Sequence, residues 1–264
     1  MIAMLQEVIN IVKEASALMV SDHFTVMQKD GLENLVTSSD LAVQHFLTER
    51  LAALLPGCGF LCEEEDFRDL EEEHVWIIDP IDGTANYSRG IGDCCISVAL
   101  ARKGALQLGV VYSPARGELY SAELGKGAQC NGRPIHVSDR PFSNGILCSA
   151  LGLYCKEYTK TCSDIIQDIY LQSNDIRRWG SAALELCLLA SGIIELFFEI
   201  RLQPWDYAAA MLILHEAGGR IAGWNGLPPS LVKPSLVVAA NRPDSLGALL
   251  ATVHCHLPDG DPFA

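Results

Sequence analysis

The chain has 264 residues, 49% hydrophobic and 20% charged, a balance that excludes a disordered tail, a collagenous repeat and a mini-protein dependent on disulfides. Lys and Arg number 19 against 33 Asp and Glu, giving a formal net charge of −14. That argues against direct nucleic-acid binding, because neutralising phosphates needs clustered cations. Half of the acidic surplus sits in Glu63 to Glu73, where eight acids and one arginine carry −7.

The N-terminal segment is apolar, but Glu7, Lys13 and Glu14 interrupt it and no basic region precedes it, so it is not expected to be a signal peptide. Ile2, Leu5, Val8, Ile9, Val12, Ala15 and Met19 recur at helical spacing and predict an amphipathic helix. A second helical pattern runs from Ser39 to Leu55 and ends at Pro56-Gly57. After the acidic run comes a buried strand, VWIID at 75–79. Strand-like runs then follow closely: CCISVAL (94–100), ALQLGVVYS (105–113), GELYSAE (117–123) and GAQCNGRPIHVS (127–138), the last with an Asn131-Gly132 hairpin turn. From about residue 145 the pattern alternates: strand ILCSA, a helix near 155–172, a helix at 181–190, strand IIELFFEI, a helix at 205–217 and strand LVVAA. The pattern predicts two sheets layered with helices. Residues 1–142 read as an α+β half with an antiparallel meander, and 143–264 as an α/β half. No segment offers about 18 uncharged apolar residues in a row, so no membrane span is expected. The ten cysteines show no CxxC pair or zinc spacing and read as small core residues of a reducing, cytoplasmic setting.

The richest segment chemically is WIIDPIDGTANY, 76–87. Asp79 and Asp82 leave one strand three residues apart, and their repulsion calls for a positive partner, of which a divalent ion is the usual one. Gly83 allows close approach of a ligand, and a helix starting at Gly83-Thr84 would offer free N–H groups to phosphate. Carboxylates for a metal beside a phosphate cradle suit metal-assisted phosphoester hydrolysis. An ordinary strand-end cap and turn would leave the same trace. Asp206, opening the apolar helix WDYAAAMLILHEAGG, and Asp40, closing LVTSSD at a helix start, are each compatible with simple helix capping.

Together VTSSD, the CEEE after FL, WIIDPIDGTANY and WDYAAAMLILHEAGG stand in the order and spacing of the inositol monophosphatase family, within the magnesium-dependent, lithium-sensitive phosphatases. GVVYSPARGELYSAELGKGAQCNGRPIHVS and GSAALELCLLASG resemble it too, so the likeness covers nearly the whole chain. It implies a layered αβαβα sandwich like inositol monophosphatase and fructose-1,6-bisphosphatase, a homodimer, and two to three Mg²⁺ ions per site. By resemblance, Glu63, Asp79 and the Ile81 carbonyl hold the first ion and Asp79, Asp82 and Asp206 the second, with a weaker third on Glu63. The implied mechanism is in-line attack by a metal-activated water, deprotonated with help from Thr84, whose hydroxyl Asp40 orients. The leaving alkoxide takes a proton from a water near Asp82. Gly83 and Thr84 would hold phosphate, while Asp82, Gly180, Ser181, Ala182 and Glu199 would face the alcohol. Glu64 is expected to orient ligands or to be solvated, Glu195 to be structural, and Lys29 to be a turn lysine or an approach to the metals.

Some positions depart from the family pattern. Cys62 stands where glycine is usual and would put an oxidisable thiol beside Glu63; Ala85, Tyr87 and Ala210 replace threonine, phenylalanine and glycine. The GTANY loop favours myo-inositol 1-phosphate as substrate, with fructose 1,6-bisphosphate and 3′-phosphoadenosine 5′-phosphate as alternatives. A different class of role, as a protein-binding regulator, is known among bacterial members associated with RNA polymerase.

Overall fold

The computed structural model describes residues 2–20, 25–28, 35–64, 70–152 and 155–263. Helix α1 (Ile2–Ser16) is followed by a short pair of antiparallel strands, β1 (Val26–Gln28) and β2 (Leu35–Thr37), and by α2 (Ser38–Leu54). Next come β3 (Gly59–Cys62), β4 (His74–Asp82), the single turn α3 (Thr84–Tyr87), β5 (Cys95–Arg102), β6 (Ala105–Ser113), β7 (Glu118–Glu123), β8 (Ala128–Cys130) and β9 (Arg133–Ile135). The remainder is β10 (Ile146–Ser149), α4 (Thr159–Tyr170), β11 (Asp175–Arg177), α5 (Ala182–Ala190), β12 (Leu196–Leu202), α6 (Pro204–Glu216), β13 (Arg220–Ala222), β14 (Ser235–Ala240) and α7 (Pro243–His256).

Strands β3 to β9 form one sheet in sequential order, antiparallel apart from the β3–β4 pair. The second sheet has the order β11-β10-β12-β14-β13. Strand residues alternate between layers. On β5, Ile96, Val98 and Leu100 join Val8, Val12, Val43 and Leu47 of α1 and α2, whereas Cys95, Ala99 and Ala101 join α5 and α6. On β14, Val237 and Ala239 face that same central helical layer, while Leu236 and Val238 meet α4 and α7. Both sheets are therefore covered on both faces, so their strands read as unbroken apolar runs. The order of layers is the expected αβαβα.

The central layer is unusually close. Gly109 of β6 faces the backbone of α6, where an added Cβ would lie 2.6 Å from the Ala209 carbonyl oxygen. Small residues Ala208, Ala209 and Ala210, all fully buried, permit that contact. In the β8–β9 hairpin Asn131 and Gly132 both take positive φ, 50° and 74°, the left-handed pair that a two-residue turn between twisted strands requires.

Several sequence expectations are revised. The strand VWIID does not stop at Asp79: β4 continues through Pro80 to Asp82. The region expected at 155–172 is a 3₁₀ turn at Lys156–Tyr158 followed by α4. Strands β3, β11 and β13 are three or four residues long, too short for a periodic signal, and α7 carries a mixed pattern that gives no clear helical period. No helix among the described residues is long and apolar enough to cross a membrane.

Candidate active site

The course of β4 decides the geometry of its two aspartates. Asp79 pairs with Ser97 and Asp82 with Cys95, so three steps on β4 span two on β5. Residues three apart on a regular strand point to opposite faces; the extra residue of this bulge turns both carboxylates to one side. Pro80, with no N–H to offer the ladder, suits the irregular position. Gly83 follows with φ +91° and starts α3. Its Cβ position is hemmed in by the carbonyls of Asp93 and Gly180 at 3.0 and 3.2 Å, so the turn depends on glycine twice over.

A cleft of about 80 Å³ opens here, lined by Glu63, Asp79, Ile81, Asp82, Gly83, Thr84, Ala85, Ala150, Arg178, Gly180, Ala182, Glu199, Leu202 and Asp206. Residues expected at the site thus come together from the end of β3, the β4 bulge, α3, the start of α5, β12 and the first turn of α6. Two expected residues reach the cleft through another. Asp40 is fully buried, and its Oδ1 lies 3.2 Å from the Thr84 hydroxyl, which is also 3.0 Å from the Ile81 carbonyl. Ser181 donates from Oγ to Asp82 Oδ2 at 2.7 Å, beside the Ala183 N–H at 2.7 Å.

Capping and site roles coincide. Asp40 completes a capping box with Thr37, and Asp206 completes one with Gln203, whose N–H it accepts at 2.7 Å. Asp79 Oδ1 accepts the Ile81 N–H at 3.0 Å. One oxygen of each acid is therefore tied to the backbone, which fixes the carboxylate as a preformed group.

The electrostatics are strained. Burial, then Glu63, Asp82 and Asp206, push Asp79 well above the carboxylate range. Asp206 rises through burial, Asp82 and Glu63. Asp82 is held at about 6 by burial against the Ser181, Ala183 and Ala182 donors. Glu199 sits in the middle of β12, beside its own register shift, and not at a strand end as expected. Burial and then Glu185 push it to about 8, with Arg178 opposing.

Such a set of oxygens, crowded and mutually repelling, suits a hard divalent cation. Among the described residues no group of three His, Cys, Asp or Glu side chains closes on a metal ion by itself. Mg²⁺ tolerates this, since it keeps several waters and takes few protein ligands. The donor chemistry fits such an ion, and Glu63, Asp79, Ile81, Asp82 and Asp206, which line the cleft together, are the residues that could hold it.

Other expectations resolve as follows. Glu64 is 3% exposed and its backbone N–H and C=O are both bound by the Gln44 side chain, so it is no solvated loop residue. Glu71, Glu72 and Glu73 are exposed, while 65–69 and Lys29 lie outside the described residues. Glu195 is structural: it accepts from Ser138, Arg140 and the Ile146 N–H. Cys62 is 1% exposed and packs in the α1–α2 layer with Trp76 and Ile78, which argues against the oxidisable thiol expected beside Glu63. The Tyr87 hydroxyl lies within hydrogen-bond distance of the Met19 carbonyl and Ser39. Ala85 lines the cleft.

Three contributors were missed. Arg178 lines the cleft. Asn86 donates to the carbonyls of Asp93 and Trp179 at 2.7 and 2.6 Å. Buried Glu185 accepts the Trp179 and Gly180 N–H groups at 2.6 and 2.8 Å. Asn86 and Glu185 together clamp the loop that presents Gly180. An acid in the first turn of a wholly apolar helix was the only sequence signal for Glu185.

The inositol monophosphatase family model matches residues 1–257. The Nus factor SuhB of Escherichia coli K12 is 33% identical over 231 residues, 87% of this chain and 86% of that protein. Among solved structures, the extragenic suppressor protein SuhB of Bartonella henselae superposes with a TM-score of 0.86 at 28% identity, over 95% of this chain and 98% of that one. A structure described as IMPase/NADP phosphatase complexed with Mg²⁺ and phosphate gives a TM-score of 0.80 at 26% identity, over 94% and 91% of the two chains.

Proposed function

The chain belongs to the inositol monophosphatase family, and from that premise we propose that it is a Mg²⁺-dependent phosphomonoesterase acting on myo-inositol 1-phosphate. The observation that carries the reading is the convergence of Glu63, Asp79, Asp82 and Asp206 on one cleft with Gly83 and Thr84.

Bound Mg²⁺ would supply Lewis acidity, lowering the pKa of water and offsetting phosphate charge. The chain's own residues do the rest. Thr84 Oγ1 is placed to take a proton from an attacking water while handing its own to Asp40 Oδ1, 3.2 Å away. Burial raises Asp40 even against the Thr37 and Thr84 hydrogen bonds, which favours its accepting role. The backbone N–H groups of Gly83 and Thr84 would hold phosphate oxygens as charge builds. Asp82, anchored by Ser181 and Ala183, would orient the water that protonates the leaving alkoxide. Gly180, Ser181, Ala182 and Glu199 form the alcohol side, with Glu199 accepting from its hydroxyls.

The test is phosphate release from myo-inositol 1-phosphate, fructose 1,6-bisphosphate and 3′-phosphoadenosine 5′-phosphate with Mg²⁺. Preference for either alternative would replace the inositol assignment. Asp79→Asn should lower kcat at least 10³-fold. Near-normal turnover in that variant would refute the metal-dependent mechanism.

Likeness to proteins named as Nus factors supports a second reading, a regulator that binds other proteins. A scaffold role would survive Asp79→Asn, whereas hydrolysis would not. A cytoplasmic homodimer is the form we propose for either role.

A further inference from the structure

Helix α5 is buried along its whole length, and Glu185, 1% exposed, is its one charged residue. A carboxylate so placed is costly unless donors match its oxygens. Glu185 does not line the cleft, and neither the metal nor the phosphate chemistry calls on it. Its Oε1 reaches back past the start of its own helix and accepts two consecutive backbone N–H groups, that of Trp179 at 2.6 Å and that of Gly180 at 2.8 Å.

The Gly180 N–H belongs to the peptide unit that joins Trp179 to Gly180. The carbonyl of the same unit accepts from Asn86 Nδ2 at 2.6 Å, and the two groups of a trans peptide point in opposite directions. One side chain therefore grips each side of a single peptide plane. A peptide followed by glycine turns over at little cost, because glycine takes either sign of φ, and Gly180 has φ +84°. Turning over would set the carbonyl against the Glu185 carboxylate and the N–H against a donating amide. An acceptor on one side and a donor on the other thus lock one orientation. The locked unit adjoins the alcohol side of the site. Gly180 stands in the cleft wall, its carbonyl oxygen comes within 3.2 Å of the Cβ position of Gly83, and the next residue, Ser181, holds Asp82.

We propose that Glu185 is a positioning residue for the alcohol part of the substrate: by fixing the peptide between Trp179 and Gly180 it presets the loop against which the hydroxyls of a polyol phosphate are read. The inference deepens the phosphatase reading of the cleft and rests on it. A loop free to turn over would have to be ordered by the substrate. The loss then falls on KM, and only for esters whose hydroxyls reach the loop.

myo-Inositol 1-phosphate and cyclohexyl phosphate share ring size and scissile bond and differ in the ring hydroxyls. The ratio of their kcat/KM values with Mg²⁺ reports how well those hydroxyls are read, and differences in leaving group cancel when variants are compared. The wild-type chain should favour the inositol ester by at least about tenfold. Glu185→Met, similar in size but unable to accept both N–H groups, should cut that preference at least about fivefold through KM, with kcat/KM for cyclohexyl phosphate within about twofold of wild type. Glu185→Gln keeps a carbonyl oxygen that can accept both and should stay within about twofold of the wild-type ratio. The Trp179 and Gly180 amides should exchange hydrogen at least roughly tenfold faster in Glu185→Met than in wild type or Glu185→Gln. Asn86→Ala opens the lock from the other side and should lower the same preference, which keeps the inference exposed if Glu185→Met does not fold. A preference unchanged in a folded Glu185→Met chain or in Asn86→Ala, or a Gln variant as impaired as the Met variant, overturns the role while hydrolysis stands. No release from either ester by the wild-type chain overturns the inositol reading of the cleft and this role with it.

Discussion

Gly109→Ala tests whether the contact between α6 and the first sheet sets the active geometry. The new Cβ would lie 2.6 Å from the Ala209 carbonyl oxygen and 3.0 Å from its Cα, both rigid backbone atoms. Restoring ordinary contact requires α6 to retreat by roughly 0.5–1 Å, and overpacking of this kind costs about 1–3 kcal/mol. For a chain of this size the melting temperature should fall by about 2–10 °C. Because α6 carries Asp206 in its first turn, the same retreat moves one carboxylate of the cleft. Misplacement on this scale costs up to about 10²-fold in rate, so kcat/KM with Mg²⁺ should fall roughly 10- to 100-fold. Gly247→Ala is the control. It lies in α7 with nothing within 4 Å of its Cβ position and should be neutral or stabilise by up to about 1 kcal/mol. Scanning calorimetry and initial rates read the two effects separately. Wild-type melting and rate in Gly109→Ala would refute the close contact. Lowered melting with an unchanged rate would refute its coupling to Asp206.

Thr84→Val removes the hydroxyl that reaches Asp40 and should lower kcat at least 10²-fold while changing urea stability by less than about 2 kcal/mol; a kcat near wild type would rule out Thr84 as proton acceptor. Glu199 ionises near pH 8 against a usual 4.5, so the folded chain in EDTA holds an extra proton between those values and loses stability as pH rises through them. That interval sets a ceiling of about 5 kcal/mol, which partial exposure reduces to roughly 1–3. Glu199→Gln should therefore be close to wild type near pH 4.5 and more stable by pH 8.5 in urea titrations, and a constant difference would refute the assignment. The same sign applies to Asp79, Asp82 and Asp206, all raised in the metal-free chain. Adding Mg²⁺ should raise the melting temperature more at pH 8 than at pH 5.5, where protons compete with the ion. An equal gain at both values would count against these carboxylates as its ligands.

Much of this protein was legible along the chain because burial and capping are local signals. The apolar period of α1, the Asn131-Gly132 turn and the unbroken run of β14 each report the layer in which the segment lies. The acids Asp79, Asp82 and Asp206 were visible for a related reason: carboxylates at the ends of buried elements are costly, and few environments explain them. Only the tertiary structure decided which functions those acids combine. Asp40 and Asp206 cap helices and also serve the cleft, Asp206 in its wall and Asp40 through Thr84, because a carboxylate has two oxygens and the fold uses one for the backbone. The bulge that turns Asp79 and Asp82 to one side comes from register with β5, a partner strand that spacing on β4 does not reveal. Cys62, adjacent to Glu63 in sequence, faces the opposite layer because strand neighbours point apart. Arg178, far from the acids in the chain, shares their cleft. Residue types and their local periods determined the chemistry available, and the packing of two sheets against one helical layer decided which groups meet, because contacts between distant segments leave no trace in either segment alone.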